Sequence, residues 1–136
     1  MSTRRDTALV GRFSEYASAV EIGIGHRPDV AAGLADAGVS VTATDVVDRD
    51  VPAEVSFVRD DIVVASERDH PGEAYEAAVL YGLNLPPELH RPALDVARAV
   101  DADFLFTTLG YDAPVVPAAT VPLPDGETLY VARDGE

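Results

Sequence analysis

The sequence has no cysteine and no lysine, and all ten of its basic residues are arginine. Without cysteine, disulfides and thiolate metal sites are excluded. His70 and His90 have no paired ligand at metal-binding spacing, so no metal site is expected. No apolar run approaches the length of a membrane span, and no membrane association is expected. Arg4 and Arg5 could open a twin-arginine export signal. The residues that follow carry Asp6, Arg12 and Glu15 without a continuous apolar region, which rejects that reading. Positive charge is scarce overall: ten Arg face 24 Asp and Glu, for a net charge of −14 and a pI near 4.3. A nucleic-acid partner is therefore not expected, because phosphate binding needs a basic surface. Abundant acid, absent lysine and much Ala and Val point to adaptation to a salt-rich cytoplasm. At molar salt the Debye length falls to about 3 Å, which screens the self-repulsion of such a chain. A cytoplasmic, halophilic protein is the expectation, with most carboxylates on a solvated surface. At 136 residues the chain is read as one domain, 1–136, with a sizeable core.

The informative stretch is A-V-E-I-G-I-G at 19–25, running into His26, Arg27, Pro28 and Asp29. It reads as a buried strand over 18–23, a tight glycine turn, and a helix over 28–37 that opens at Pro28 and stops at Gly38. The next strand, 39–44, ends on Asp45. Strand, glycine turn, helix, strand and terminal acid form a nucleotide-cofactor half-site. Gly23 and Gly25 allow close approach and unusual dihedrals. The first helical N–H groups face the ligand, and Asp45 can accept from both hydroxyls of a ribose.

A dinucleotide site prefers a third glycine where this chain has Pro28, which disfavours an NAD-dependent enzyme. The version present is E-x-G-x-G, with Glu21 two residues before Gly23. It is similar to the first motif of Rossmann-like S-adenosylmethionine-dependent methyltransferases, although many of those carry a further glycine at the place of Arg27. The resemblance implies that Glu21, Gly23 and Gly25 hold the amino-acid and ribose end of S-adenosylmethionine. Asp45 would hold the ribose diol, and Asp60 or Asp61 the adenine amine. More narrowly, V-E-I-G-I-G-H-R-P-D-V-A, D-D-I, P-P-E-L-H and A-D-F-L-F resemble uncharacterised protein family 0146, a group of small archaeal proteins. The likeness covers most of residues 18–110. It implies a trimmed methyltransferase-like Rossmann domain and no assigned reaction.

The remaining pattern fits that architecture. An amphipathic helix is read over 6–17. A third strand over 55–58 leads into Asp60 and Asp61, with the usual following helix shortened or lost across 62–76. A fourth strand spans 77–83. It runs into Asn84-Leu85-Pro86-Pro87-Glu88, which resembles the Asn-Pro-Pro-aromatic motif of amino-group methyltransferases but is broken by Leu85 and Glu88. It is read as a rigid turn into a helix over 87–100. A fifth strand follows over 102–109, then an irregular Pro-rich segment over 110–124 and a last strand over 128–132. The expected fold is a three-layer α/β Rossmann-like domain. Its mostly parallel sheet has order 3-2-1-4-5 plus a terminal strand and is truncated at the C-terminus.

His26 and Asn84 are the candidate catalytic groups, and a solvent-facing histidine and a structural turn are the plain alternatives. No substrate-binding module is evident, so a partner chain or homo-oligomer could complete the site. Three functions stay open: a minimal S-adenosylmethionine-binding, methyltransferase-like protein, a non-catalytic nucleotide-binding or regulatory module, and, third, the NAD-dependent enzyme that Pro28 disfavours.

Overall fold

The computed structural model describes residues 3–110 and 112–135. Among them a seven-stranded sheet has the order β3-β2-β1-β4-β5-β7-β6. The strands are β1 Ser18–Ile22, β2 Ser40–Asp45, β3 Ser56–Arg59, β4 Val79–Gly82, β5 Asp103–Phe106, β6 Ala119–Pro122 and β7 Thr128–Arg133. The first five pair in parallel, β7 runs antiparallel to β5, and β6 antiparallel to β7. The expected 3-2-1-4-5 order and the methyltransferase-like Rossmann architecture are both present.

Four α-helices among the described residues cover the sheet: α1 Arg4–Phe13, α2 Asp29–Asp36, α3 Ile62–Glu67 and α4 His90–Val100. Because side chains alternate along a strand, each central strand feeds two cores. Ala19, Val41, Ala43, Val79, Tyr81 and Leu105 pack with Leu9 and Phe13 of α1 and Val30 and Leu34 of α2. Val20, Ile22, Leu80, Phe104 and Phe106 pack on the other face with Ile62 of α3 and Leu94 and Ala97 of α4. No helix among the described residues is long and apolar enough to cross a membrane.

Some expectations change. The segment 110–124, read as irregular, contains β6, so the sheet gains two strands beyond β5 where one was expected. Pro122 ends that strand at the sheet edge, where a missing N–H is tolerated. The helix after β3, read as shortened or lost, is present in shortened form as the six-residue α3, started by the Asp61 side chain accepting from Val63 N–H at 2.9 Å. The helix read over 87–100 opens as a single 3-10 turn, Pro87–Leu89, before α4.

The helix expected over 6–17 starts earlier, at a capping box, and ends earlier, at Phe13. Thr3 accepts from Asp6 N–H at 3.0 Å, and Asp6 accepts from Thr3 N–H at 3.3 Å. Phe13, fully buried, stacks on Tyr81 of β4 at 4.6 Å and clamps α1 to the sheet. Replacing Phe13 with Ala should cost about 3–5 kcal/mol. The shift of the denaturant midpoint would measure it. A loss below about 1 kcal/mol would mean that α1 is not held by this contact.

Candidate functional site

The chain leaves β1 through a turn in which Gly23 and Gly25 have φ of +70° and +58°. These are left-handed values that L side chains adopt only with strain. The turn is tied to the neighbouring strand at three successive amides. Gly23 N–H and Ile24 N–H both donate to the Thr44 carbonyl, at 2.9 and 3.1 Å. Gly25 N–H donates to Asp45 Oδ2 at 2.8 Å. A β-carbon at Gly23 or Gly25 would meet no atom within 4 Å. The bared backbone therefore faces open space and is not plugged by the protein's own side chains.

Two cavities flank this turn, and Gly23 lines both. The first, of about 180 Å³, sets the charged and polar Arg5, Asp6, Glu21 and Asn84 beside the apolar Ile24, Val30 and Leu83. The second, of about 130 Å³, is lined by the apolar Ile22, Val46, Ile62 and Leu89 and by Asp45, Asp60 and Asp61. The structure thus brings Glu21, Gly23, Gly25, Asp45, Asp60 and Asp61 to the carboxyl ends of the first three strands. The cleft is open on both sides of the turn.

Each acid has its own state. Glu21 is 1% exposed and accepts from the Tyr81 hydroxyl at 2.8 Å. Burial pushes its carboxyl up to about 8, against the smaller lowering effect of that hydrogen bond. The Tyr81 hydroxyl is pushed well up, by burial first and then by the Glu21 charge. Burial would also raise Asp45, but the Gly25, Val46 and Val47 amides and then the Arg49 guanidinium outweigh it and hold the carboxyl below its usual range. Asp60 is lowered chiefly by its hydrogen bonds from Arg68, at 2.7 and 2.9 Å, with further support from the Tyr75 hydroxyl. Asp61 Oδ1 caps α3, while its other oxygen carries no hydrogen bond among the described residues.

The two candidate catalytic groups behave differently. His26 sits on the rim, where its Nε2 lies 3.0 Å from Arg49 Nη1. Arginine has no acceptor, so Nε2 must accept and its lone pair is engaged. Asn84 takes a left-handed conformation, φ +51°, held by its N–H donating to Thr107 Oγ1 at 2.8 Å. Its side chain lines the first cavity. The Leu85-Pro86-Pro87 segment is a rigid turn, as expected, with Leu85 buried and its N–H on the Thr107 carbonyl.

The sequence reading did not find Arg5, Asp6 or Tyr81. Tyr81 was accessible in principle, because it stands directly opposite Glu21 in the β1–β4 register and a buried acid needs a donor. Arg5 and Asp6 lie in the first turn of α1, and only the docking of that helix brings them to the cleft. Among the described residues no cluster of three or more metal-ligating side chains occurs.

The buried Glu21 makes stability depend on pH. Its carboxyl has a value of 4.5 when unfolded and about 8 when folded, so the folded state holds a proton that the unfolded chain has lost. Stability should fall as pH rises from 4.5 to about 8 and level off above. Asp45 and Asp60, shifted the other way, act at lower pH: their contribution is full above 3.8 and is lost as pH falls further. Glu21→Gln should flatten the slope between pH 4.5 and 8 in denaturant titrations. An unchanged slope would assign the proton to another group.

With this geometry in hand, the comparisons with known proteins are consistent. An RNA methyltransferase from Salinibacter ruber, solved with S-adenosyl-L-homocysteine, superposes with a TM-score of 0.62 at 16% identity, covering 100% of this chain and 95% of that one. A TehB-like SAM-dependent methyltransferase from Corynebacterium glutamicum gives 0.61 at 16% identity, over 96% and 86% of the two chains. At such identities the likeness establishes the fold. In sequence, a UPF0146 protein of Halobacterium salinarum is 48% identical over 123 residues, 90% of this chain and 92% of that protein. One from Archaeoglobus fulgidus is 40% identical over 90 residues, 66% of each. Residues 7–134 match the family as a whole, and the chain belongs to the uncharacterised protein family UPF0146.

Proposed function

We propose that this protein binds S-adenosylmethionine and is a minimal methyltransferase-like protein. The observation that carries the reading is the pair of unlike cavities meeting at the bared backbone of Gly23. A nucleoside with an amino-acid tail has the same division: an apolar aromatic base at one end, a zwitterion at the other, and a sugar between. The base fits between Ile22, Val46 and Ile62, and the free oxygen of Asp61 is the better acceptor for its amine, since Asp60 is bound by Arg68 and Tyr75. The sugar lies at Gly23 and Gly25, with its hydroxyls on Asp45. Arg49 Nε, 3.2 Å from Asp45 Oδ2, is the donor they would replace. The amino-acid end enters the first cavity, where its ammonium would draw the proton off Glu21.

The cofactor supplies the electrophilic methyl group, and its sulfonium is a leaving group that needs little acid–base help, so positioning can carry much of the rate. One observation favours the second reading, a non-catalytic nucleotide-binding module: the lone pair of His26, the nearest imidazole, is already engaged by Arg49.

Thermal unfolding with S-adenosylmethionine, S-adenosylhomocysteine and NAD separates the readings. A ligand at 100 times its Kd stabilises by about 2.7 kcal/mol. Both sulfur nucleosides should raise Tm, and NAD should not. Asp45→Asn keeps one acceptor oxygen for the Gly25 amide but turns an NH2 toward the Val46 amide, so the ligand-free Tm should fall, and the ligand-induced rise measured from that baseline should shrink. A response to NAD alone, or to none of the three, would contradict the proposal. Stabilisation without methyl transfer to any component of a cell extract would favour the non-catalytic module.

A further inference from the structure

A third cavity, of about 420 Å³, lies beside the first and shares Arg5, Arg27 and Asn84 with it. It falls within the size range of small-molecule sites, roughly 300–1,000 Å³. Its remaining walls come from the ends of β5 and β7, including Thr108, Leu109, Glu127, Thr128 and Tyr130.

The charge on these walls runs against the rest of the chain. Acids outnumber arginines 24 to 10 overall, yet here Arg5 and Arg27 face one carboxylate, Glu127. The Arg5 side chain is only 9% exposed, and its contacts are loose: 3.2 Å to Asp6, 3.4 Å to Glu127 and 3.5 Å to Asn84. Elsewhere in the same protein Arg68 meets Asp60, and Arg133 meets Asp101, at 2.7 Å. Charge-assisted bonds normally close to about 2.7–2.9 Å. The guanidinium is satisfied but by long contacts, so a better-placed carboxylate could replace one of them at a shorter distance. Arg27 is exposed at the shared edge, and its side chain has no hydrogen bond or ion pair among the described residues. Thr108 and Thr128 add hydroxyl donors, while Leu109 and Tyr130 offer an apolar wall.

We propose that this cavity binds a small carboxylic acid, with its carboxylate seated between Arg5 and Arg27 and its body against Leu109 and Tyr130. Arg5 is already opposed by Asp6 and Glu127, so Arg27 is the one cation on these walls without an ion pair among the described residues, and one unopposed cation matches a monoanion better than a phosphate dianion. The site adjoins the cavity assigned above to the cofactor's amino-acid end, but it does not depend on that reading.

Benzoate and its neutral counterpart benzamide, titrated into the full chain in a buffer free of other oxyanions and followed by amide NMR, test it. Benzoate should shift the Thr108, Gly110 and Thr128 amides, and benzamide at equal concentration should not. Arg27→Ala, a surface change, should weaken benzoate at least tenfold while the spectrum stays dispersed. Equal binding of benzamide, unchanged benzoate affinity in the variant, or shifts confined to residues 23–25 would overturn the assignment. S-adenosylhomocysteine titrated into the same wild-type protein reads the cofactor site through Gly23 and Val46. If it fails to bind while benzoate binds, the cofactor reading falls and the anion site stands.

Discussion

Thr44 and Asp45, the last two residues of β2, hold the end of β1 by three consecutive amides. The Thr44 carbonyl takes Gly23 and Ile24, and the Asp45 carboxylate takes Gly25. A backbone acceptor and a side-chain acceptor on one strand thus fix a turn whose own dihedrals only glycine adopts cheaply. With the turn pinned down against β2, the space above it stays clear, and Glu21 and Ile22, neighbours on β1, fall on opposite sides of one bare ridge. The two unlike cavities are a consequence of that ridge. Loss of the Asp45 acceptor would leave the Gly25 amide seeking another partner, and the ridge would no longer be defined.

Electrostatics reinforce the division. The protein is strongly acidic, yet the acids nearest the ridge are differentiated by their partners. Glu21 is buried against a tyrosine hydroxyl and favours its neutral form. Asp45 is surrounded by amide donors and an arginine and favours its charged form. Two carboxylates on adjacent strands therefore present different chemistry to whatever lies between them. That arrangement suits a ligand with cationic character at one end and sugar hydroxyls in the middle. On the far side, the docking of α1 through Phe13 carries Arg5 into the cleft, so a helix read for its apolar stripe also shapes the polar end of the site.

How much of this was legible in the sequence depended on whether the signal was local. The strand, glycine turn, helix, strand and acid from 18 to 45 read correctly because spacing and glycine placement encode it within one supersecondary unit. The 3-2-1-4-5 order followed from right-handed crossovers. Strand β6 was hidden because Pro117, Pro122 and Pro124 crowd the segment, and proline signals loop more strongly than edge strand. Asp60 and Asp61 could not be separated, since an acid doublet after a strand looks the same whether a member caps a helix or pairs with a distant arginine. Arg68 is eight positions from Asp60, across α3, and only that short helix returns it. Tyr81 and Arg5 needed register and helix docking, which no local pattern carries.

The central claim, that the ridge between residues 23 and 25 receives an adenosine whose ribose meets Asp45, is tested most directly by a crystal structure grown with S-adenosylhomocysteine. The account predicts an adenine ring between Ile22, Val46 and Ile62 with its amine at Asp61. It also predicts ribose hydroxyls on Asp45 with Arg49 displaced, and the amino-acid tail beside Glu21. Ligand density elsewhere on the protein, or a ribose turned away from Asp45 with Arg49 still in place, would contradict it.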